Sequence, residues 1–291
     1  MRLIDDITFF LEGEGFVCSH HLLDGLEAIG THTHDGKHPR TIIPLEISAE
    51  SPEEACTLSE SARICIGTIC RNEGYPVIIT EDRWNSQKSM TQARLLAHLE
   101  IFSQAFARNC EIRRIDKKEA QEFLQANHSY GHAACRYQYG MFLKRQTGHL
   151  AEKFPVKPGM TEVSPGMLVA VATFSNARKW IKGDKEIRSY EWTRFASLPG
   201  LRISGGMGKM LKTFINEVRP DDIMSYADLE WSEGSVYNAL GFSLEGTKDP
   251  VMFVVDTDIW ERFPIRSGKK GNRYFRNFGS NKYRLKLTDY E

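Results

Sequence analysis

Apolar positions at helical spacing dominate one stretch of the chain. From Ser86 to Ala107, residues Met90, Ala93, Leu95, Leu96, Leu99, Ile101, Phe102 and Phe106 predict a helix of about six turns. Before it, Arg40 to Ile47 reads as a strand and Ser48 to Ser61 as loop or helix. Ile64 to Cys70 and Tyr75 to Thr80 are two further apolar runs. Roughly the first 45 residues give no clean period.

After that helix the pattern becomes a regular alternation of strands and helices. Cys110 to Ile115 alternates like a strand, and Asp116 with Glu119 forms a capping box for a helix ending near Ala126. Tyr137 to Leu143 and Met167 to Phe174 read as strands, separated by a Pro-, Gly- and Lys-rich segment, Phe154 to Pro165, whose composition suggests exposure. A long strand follows at Ile187 to Leu198, then a helix at Gly206 to Val218 and a strand at Ile223 to Asp228. Ser232 to Leu240 reads as a helix, and Phe242 to Glu245 and Val251 to Asp256 as strands. The expected organisation is therefore a smaller α/β N-terminal module (1–109), an α/β domain with a mixed sheet flanked by helices (110–258) and a C-terminal tail (259–291).

Composition changes this picture in one place. Overall the 291 residues are 41% apolar and 26% charged with zero formal net charge, as in a soluble globular protein. Arg262 to Lys286 departs from that balance. It holds nine basic residues and no acidic one, with Phe263, Tyr274, Phe275, Phe278 and Tyr283 interleaved. Lys and Arg neutralise phosphates and aromatic rings stack on bases, so this run is a candidate nucleic-acid contact. The opening MRLIDDITFFLEGEGF carries acids where a signal peptide needs basic and then apolar residues. No run reaches the ~18 apolar residues of a membrane span. The six cysteines form no tight framework, and a cytoplasmic protein with no membrane contact is expected. His20, His21, His32, His34 and His38 crowd a short stretch beside Asp35, but Gly36 and Pro39 mark a loop and no cysteine sits at finger spacing, so no metal site is assigned.

Chemistry concentrates between residues 198 and 242. In Leu198-Pro-Gly-Leu-Arg-Ile-Ser-Gly-Gly-Met-Gly-Lys-Met-Leu211, glycines at 205, 206 and 208 sit between a predicted strand and a predicted helix. Glycine lets backbone N–H groups approach an anion, and the helix start adds unsatisfied donors and the positive end of a dipole. Lys209 could add a charge contact. The spacing is not that of a P-loop, and no strand at the chain start feeds a Rossmann turn. Downstream, Ser225-Tyr-Ala-Asp-Leu-Glu-Trp-Ser-Glu-Gly-Ser-Val-Tyr-Asn-Ala-Leu-Gly-Phe242 reads as strand, short helix and a Gly-Phe pair.

Over Cys110 to Asp256 this order of elements, with Gly206-Met-Gly208 and Tyr237-Asn-Ala-Leu-Gly-Phe242, resembles the Gcn5-related N-acetyltransferase (GNAT) superfamily. The resemblance implies a twisted mixed sheet, acetyl-CoA or another acyl-CoA as cofactor, and an amine acceptor. It implies that Ser204, Gly205, Gly206, Met207, Gly208 and Lys209 cradle the phosphates. Phe195, Ser197 and Leu198 would line the pantetheine arm between splayed strands, and Tyr237 would protonate the departing thiolate. A phenol near pKa ~10 suits a thiol near ~8.5. The family usually has Gln or Arg three residues before the first glycine of its motif, where this chain has Ile203; Arg202 is one place off.

Candidate bases are Glu191, Asp228 and Glu230, and His128 or His132 of Asn127-His-Ser-Tyr-Gly-His132. Alternation puts Glu191, Thr193 and Phe195 on one face of the strand and Tyr190, Trp192 and Arg194 on the other. The Asn-His-x-x-Gly-His segment, the Glu-Trp-Thr-Arg-Phe strand, the Gly-Gly-x-Gly-Lys-x-Leu cradle and Ser-Tyr-Ala-Asp-x-x-Trp-Ser also look like a phage-associated, Mom-like branch that acts on nucleobases. That resemblance would make Asp228 and Ser232 acceptor-site residues. A catalytically silent scaffold of the same fold is the third alternative.

Overall fold

A computed structural model describes residues 2–145 and 163–290. Its elements begin with α1 (Leu3–Gly13), β1 (Phe16–Leu23), β2 (Leu26–Thr33), β3 (Arg40–Leu45), α2 (Pro52–Glu73), β4 (Val77–Thr80), α3 (Glu81–Ser86) and α4 (Lys88–His98). There follow β5 (Ser103–Phe106), β6 (Cys110–Arg114), α5 (Lys117–Asn127), β7 (Tyr137–Leu143), β8 (Leu168–Phe174), β9 (Arg178–Lys182), β10 (Lys185–Ser197) and β11 (Leu201–Ser204). The rest are α6 (Gly206–Val218), β12 (Asp222–Asp228), α7 (Ser235–Ala239), β13 (Ser243–Lys248), β14 (Met252–Asp256), β15 (Glu261–Pro264), β16 (Arg273–Arg276) and β17 (Ser280–Lys286).

These elements form two compact units, each assembled from separate stretches of chain. One comprises residues up to Glu100, Ala227–Gly234 and Thr247–Asn281. The other comprises Ile101–Tyr226, Ser235–Gly246 and residues from Lys282 on. The expected boundary at 109 and the continuous 110–258 domain are corrected accordingly. The helix expected to run to Ala107 stops at His98, because Glu100 takes a left-handed backbone (φ 65°) and Ser103–Phe106 is extended and paired with β11. Most of the exposed loop expected over 154–165 lies outside the described residues.

In the first unit, β1–β2–β3–β4 form a sheet. The β1–β2 hairpin turns on Asp24-Gly25, both with positive φ, the geometry of a tight primed turn. β3 and β4 run parallel, so the chain must cross over between them, and α2 is the crossover. Ser51 caps α2 by accepting from the Glu54 amide, with Pro52 beginning the helix. The buried face packs Ala62, Cys65, Ile66 and Ile69 of α2 against Ile43, Leu45 and Ile78.

The basic run is part of this fold rather than a tail. Arg262, on β15, donates to Asp82, to Glu230 at 2.9 Å and to the Thr80 hydroxyl at 2.9 Å. Arg273 pairs with Glu50 and Arg276 with Glu60. In the second unit, Lys282 and Arg284 pair with Glu245, and Arg284 also pairs with buried Asp222. Carboxylates distant in sequence neutralise these five cations, while Arg266, Lys269, Lys270 and Lys286 of the same run stay exposed and form no ion pair among the described residues.

The second unit is built on a sheet ordered β13–β17–β12–β10–β8–β7–β6, with β9 pairing β10. On one face Phe214 of α6 lies among Tyr137, Tyr139, Phe174 and Tyr190. On the other, Ala120 and Leu124 of α5 pack on Val171 and Ala196. Asp116 caps α5 by accepting from the Glu119 amide at 2.8 Å. No helix among the described residues is long and apolar enough to cross a membrane.

Candidate acyl-transfer site

Strand β10 carries the first feature of the site, a bulge. Its ladder with β8 pairs Trp192 with Phe174 and then Arg194 with Thr173, so Thr193 is the extra residue. A bulge reverses the alternation of side chains beyond it. Trp192 stacks on Phe174, and Phe195 meets Trp192 edge-on, while Ala196 packs toward α5. Simple alternation therefore fails after Thr193. Phe195 joins the Trp192 side, and Arg194 moves to the α5 side, where its Nε donates to the Gly131 carbonyl at 3.1 Å. The Thr193 hydroxyl donates to the Thr173 carbonyl at 3.0 Å and lies 2.8 Å from Cys135 Sγ.

The second feature is a fork. β10 and β12 pair in parallel over Ser189–Asp222, Tyr190–Ile223 and Glu191–Met224, and then part. Beyond that point the ladder of β10 continues on β8 through Ser197. At the parting, buried Ser225 on β12 donates to the Trp192 carbonyl at 2.9 Å. Tyr237 Oη lies 2.8 Å from the same Ser225 oxygen. A serine hydroxyl has one proton and a carbonyl only accepts, so with that proton on Trp192 the Tyr237 hydroxyl donates to Ser225. The Tyr237 ring is held by Trp192, Phe242 and a stacked Tyr283. Burial raises the Tyr237 pKa, the Ser225 hydrogen bond works against that rise, and Tyr283 adds to it. The phenol therefore keeps its proton throughout the neutral range.

The third feature is the turn after β10. The Ser197 hydroxyl donates to the Leu201 carbonyl, and the Leu198 amide donates to Val169. After β11 the chain reaches Gly205, whose left-handed backbone (φ 74°, ψ 5°) aims it into α6. The first amide bonded within the helix is that of Lys209, to the Gly205 carbonyl. The amides of Gly206, Met207 and Gly208 thus open the helix without helical acceptors, and no acid lies in the first turn. At Gly208 a Cβ would come within 3.3 Å of the Leu240 side chain, so the small residue keeps α6 and the end of α7 in contact. Lys209 does not supply the expected charge contact. Its ammonium donates to the Ala107 and Cys110 carbonyls at 2.9 and 2.6 Å.

The expected bases separate. Asp228 belongs to the first unit, where it accepts from Arg83 at 3.2 Å and from the Glu230 amide at 3.0 Å; a carboxylate so engaged is a structural ion pair. His128 accepts at Nδ1 from the Tyr130 amide at 3.1 Å, which occupies that lone pair and puts any ring proton on Nε2. Nδ1 of His132 is buried without a hydrogen-bond partner. Glu191, half-buried at the last paired position before the fork, makes no ion pair among the described residues. The place of Ser225 beside Tyr237 is not legible in the sequence, because nothing local distinguishes it from any serine in a strand. The clustered histidines are dispersed into local contacts such as His20 with Thr8 and His38 with Glu100. No group of three or more ligating side chains among the described residues could hold a metal.

Fold and site together define a mixed α/β chain with a forked parallel strand pair and a glycine-rich helix start whose first amides have no helical acceptor. Its residues fit a diphosphate at the helix start, since the donors there face no competing carboxylate. No family model and no curated protein matches the chain. Among solved structures it is similar to the NatC complex bound to Gag peptide and CoA, at 12% identity over 62% of this chain and 99% of that one, with a TM-score of 0.35. It is also similar to a putative acetyltransferase from Salmonella typhimurium with acetyl-CoA, at 14% identity over 62% and 96%, TM-score 0.34. A third is spermidine N-acetyltransferase from Vibrio cholerae with CoA and spermine, at 10% identity over 62% and 96%, TM-score 0.34.

Proposed function

We propose that this chain is an acyl-CoA-dependent N-acyltransferase acting on an amine, with Tyr237 as general acid and Ser225 as its positioning residue. The observation that carries this is the fork: β10 and β12 part after Glu191 and Met224, and the Ser225–Tyr237 hydroxyl pair stands at the parting. A phenol that keeps its proton at neutral pH is an acid able in its chemistry to protonate a leaving thiolate, which supports this reading.

CoA, when bound, supplies an activated acyl thioester. The Gly206, Met207 and Gly208 amides would hold its diphosphate, with Ser204 and Gly205 forming the approach. The open edge of β10 from Phe195 to Leu198 would accept the amide-bearing arm. Glu191 is the carboxylate left to take the amine proton. As Tyr237 loses its proton, Ser225 turns its own hydroxyl toward the phenolate and stabilises it. Transfer forms the amide bond and breaks the C–S bond. One proton passes from the amine to the protein, and one passes from Tyr237 to sulfur.

The test is thiol release from acetyl-CoA in the presence of a panel of amines, including polyamines, peptide N-termini and aminated nucleosides. Amine-dependent release that Tyr237→Phe abolishes or strongly slows supports the proposal. No release with any amine, or release unchanged in Tyr237→Phe, counts against it.

A further inference from the structure

The displaced arginine has a structural place. β11 pairs in parallel with β5, setting Arg202 beside Gln104 and Ser204 beside Phe106. Ser103, Ala105, Leu201 and Ile203 occupy the alternate positions, of which Ala105 and Leu201 are buried. The opposite face of this two-stranded ribbon is polar, aromatic and cationic. The Arg202 guanidinium lies 5.1 Å from the centre of the Phe102 ring, and that of Arg108 lies 4.7 Å from the Phe106 ring. The Gln104 amide donates to Ser204 Oγ at 2.9 Å.

Both arginines are exposed, and neither forms an ion pair among the described residues. Segments 101–110 and 198–210 contain no carboxylate, although acids and bases balance over the chain. The basic residues of 262–286 show the contrast, since most of them are paired with acids. Exposed guanidinium groups without carboxylate partners, each lying over a half-buried aromatic ring, suit a ligand that offers phosphate and a stacking ring together.

We infer that this ribbon binds the phosphorylated adenosine end of the cofactor. Phe102 or Phe106 stacks the purine, and Arg202 and Arg108 take the ribose phosphate. This rests on the acyl-CoA reading, and it assigns to β5 and β11 the anion contact that the resemblance would put at position 203.

Calorimetric titration with CoA, adenosine 3′,5′-bisphosphate and pantetheine tests it, using wild type, Arg202→Gln, Arg108→Gln and Phe106→Leu. All three substituted side chains lie at least partly on the surface, and circular dichroism confirms folding. We expect each arginine change to weaken CoA and the bisphosphate about tenfold, and to leave pantetheine unchanged. Normal CoA affinity in both arginine variants overturns the ribbon assignment while leaving the acyltransferase reading intact. Wild type that binds the bisphosphate through these arginines but not CoA upholds the ribbon and defeats the acyltransferase reading. No binding of either nucleotide overturns both.

Discussion

Tyr237 Oη lies 2.8 Å from Ser225 Oγ, and Ser225 is anchored by the Trp192 carbonyl at the point where β10 and β12 separate. Two residues twelve positions apart in sequence thus share one hydrogen bond at the strand fork, and the proposed mechanism makes Tyr237 the acid and Ser225 its support. Loss of the acid should slow catalysis without loosening the cofactor. Tyr237→Phe is expected to lower kcat by about 10²–10⁴-fold, with CoA affinity close to wild type. Steady-state kinetics together with calorimetry check this, and equal losses in both would place Tyr237 in binding instead.

The pH profile follows from the raised pKa of Tyr237. The acid acts while protonated, so activity that depends on it persists through neutral pH and falls only above the ordinary phenol value of about 10. Ser225→Ala removes a hydrogen bond that favours the phenolate, so it should move that alkaline limb further up. The same change should lower kcat by about tenfold, the value of one hydrogen bond to a charged group. Ser225→Thr, which keeps the hydroxyl, should restore most of the rate. A limb that stays put in Ser225→Ala means the serine merely packs.

Arg262 should behave as a core residue despite its place in a basic run. Arg262→Ala leaves Asp82 and Glu230 buried without their shared partner, which is expected to cost about 3–5 kcal/mol. Chemical denaturation measures this, and a change below about 0.5 kcal/mol would fit a solvated surface cation instead. Burial opposes ionisation of Asp82, but the Arg262 charge and hydrogen bonds outweigh it and hold the pKa below the usual value. A depressed carboxylate stabilises the fold above its unfolded pKa of about 3.9, and that stability is lost as pH falls through the lower folded value. Arg262→Ala should flatten this acid dependence.

Gly205 tests the cradle separately from the chemistry. Its backbone is left-handed, while the nearest atom to an added Cβ is the Ala107 Cβ at 3.7 Å. Gly205→Ala therefore meets conformational strain rather than a clash, about 1–2 kcal/mol. Thermal unfolding should show the loss, together with weaker CoA binding as the helix start relaxes. Unchanged stability would mean the loop has other conformations open to it.

Much of the second unit was legible because its signals are local. Asp116 three residues before Glu119, the glycines at 205 and 206 and the short, mostly apolar run 137–143 each fix an element without long-range information. Asp24-Gly25 carried an equally local hairpin signal that the weak periodicity around it obscured. The failures were long-range. Ile101 to Phe106 keeps helical spacing, yet its partner is β11, about a hundred residues away, and pairing prevails over spacing. The bulge at Thr193 follows from the ladder with β8, which alternation within one strand cannot reveal. Asp228 looked available as a base because Arg83 lies far off in the chain.

The most direct measurement is calorimetric titration of the wild-type protein with CoA and acetyl-CoA. The proposed cradle and fork predict one-to-one binding of both in the micromolar range. Binding should weaken with salt, because phosphate contacts carry part of it. No heat and no thermal stabilisation at millimolar cofactor would contradict the assignment of the Gly205–Gly208 segment and, with it, the acyltransferase function.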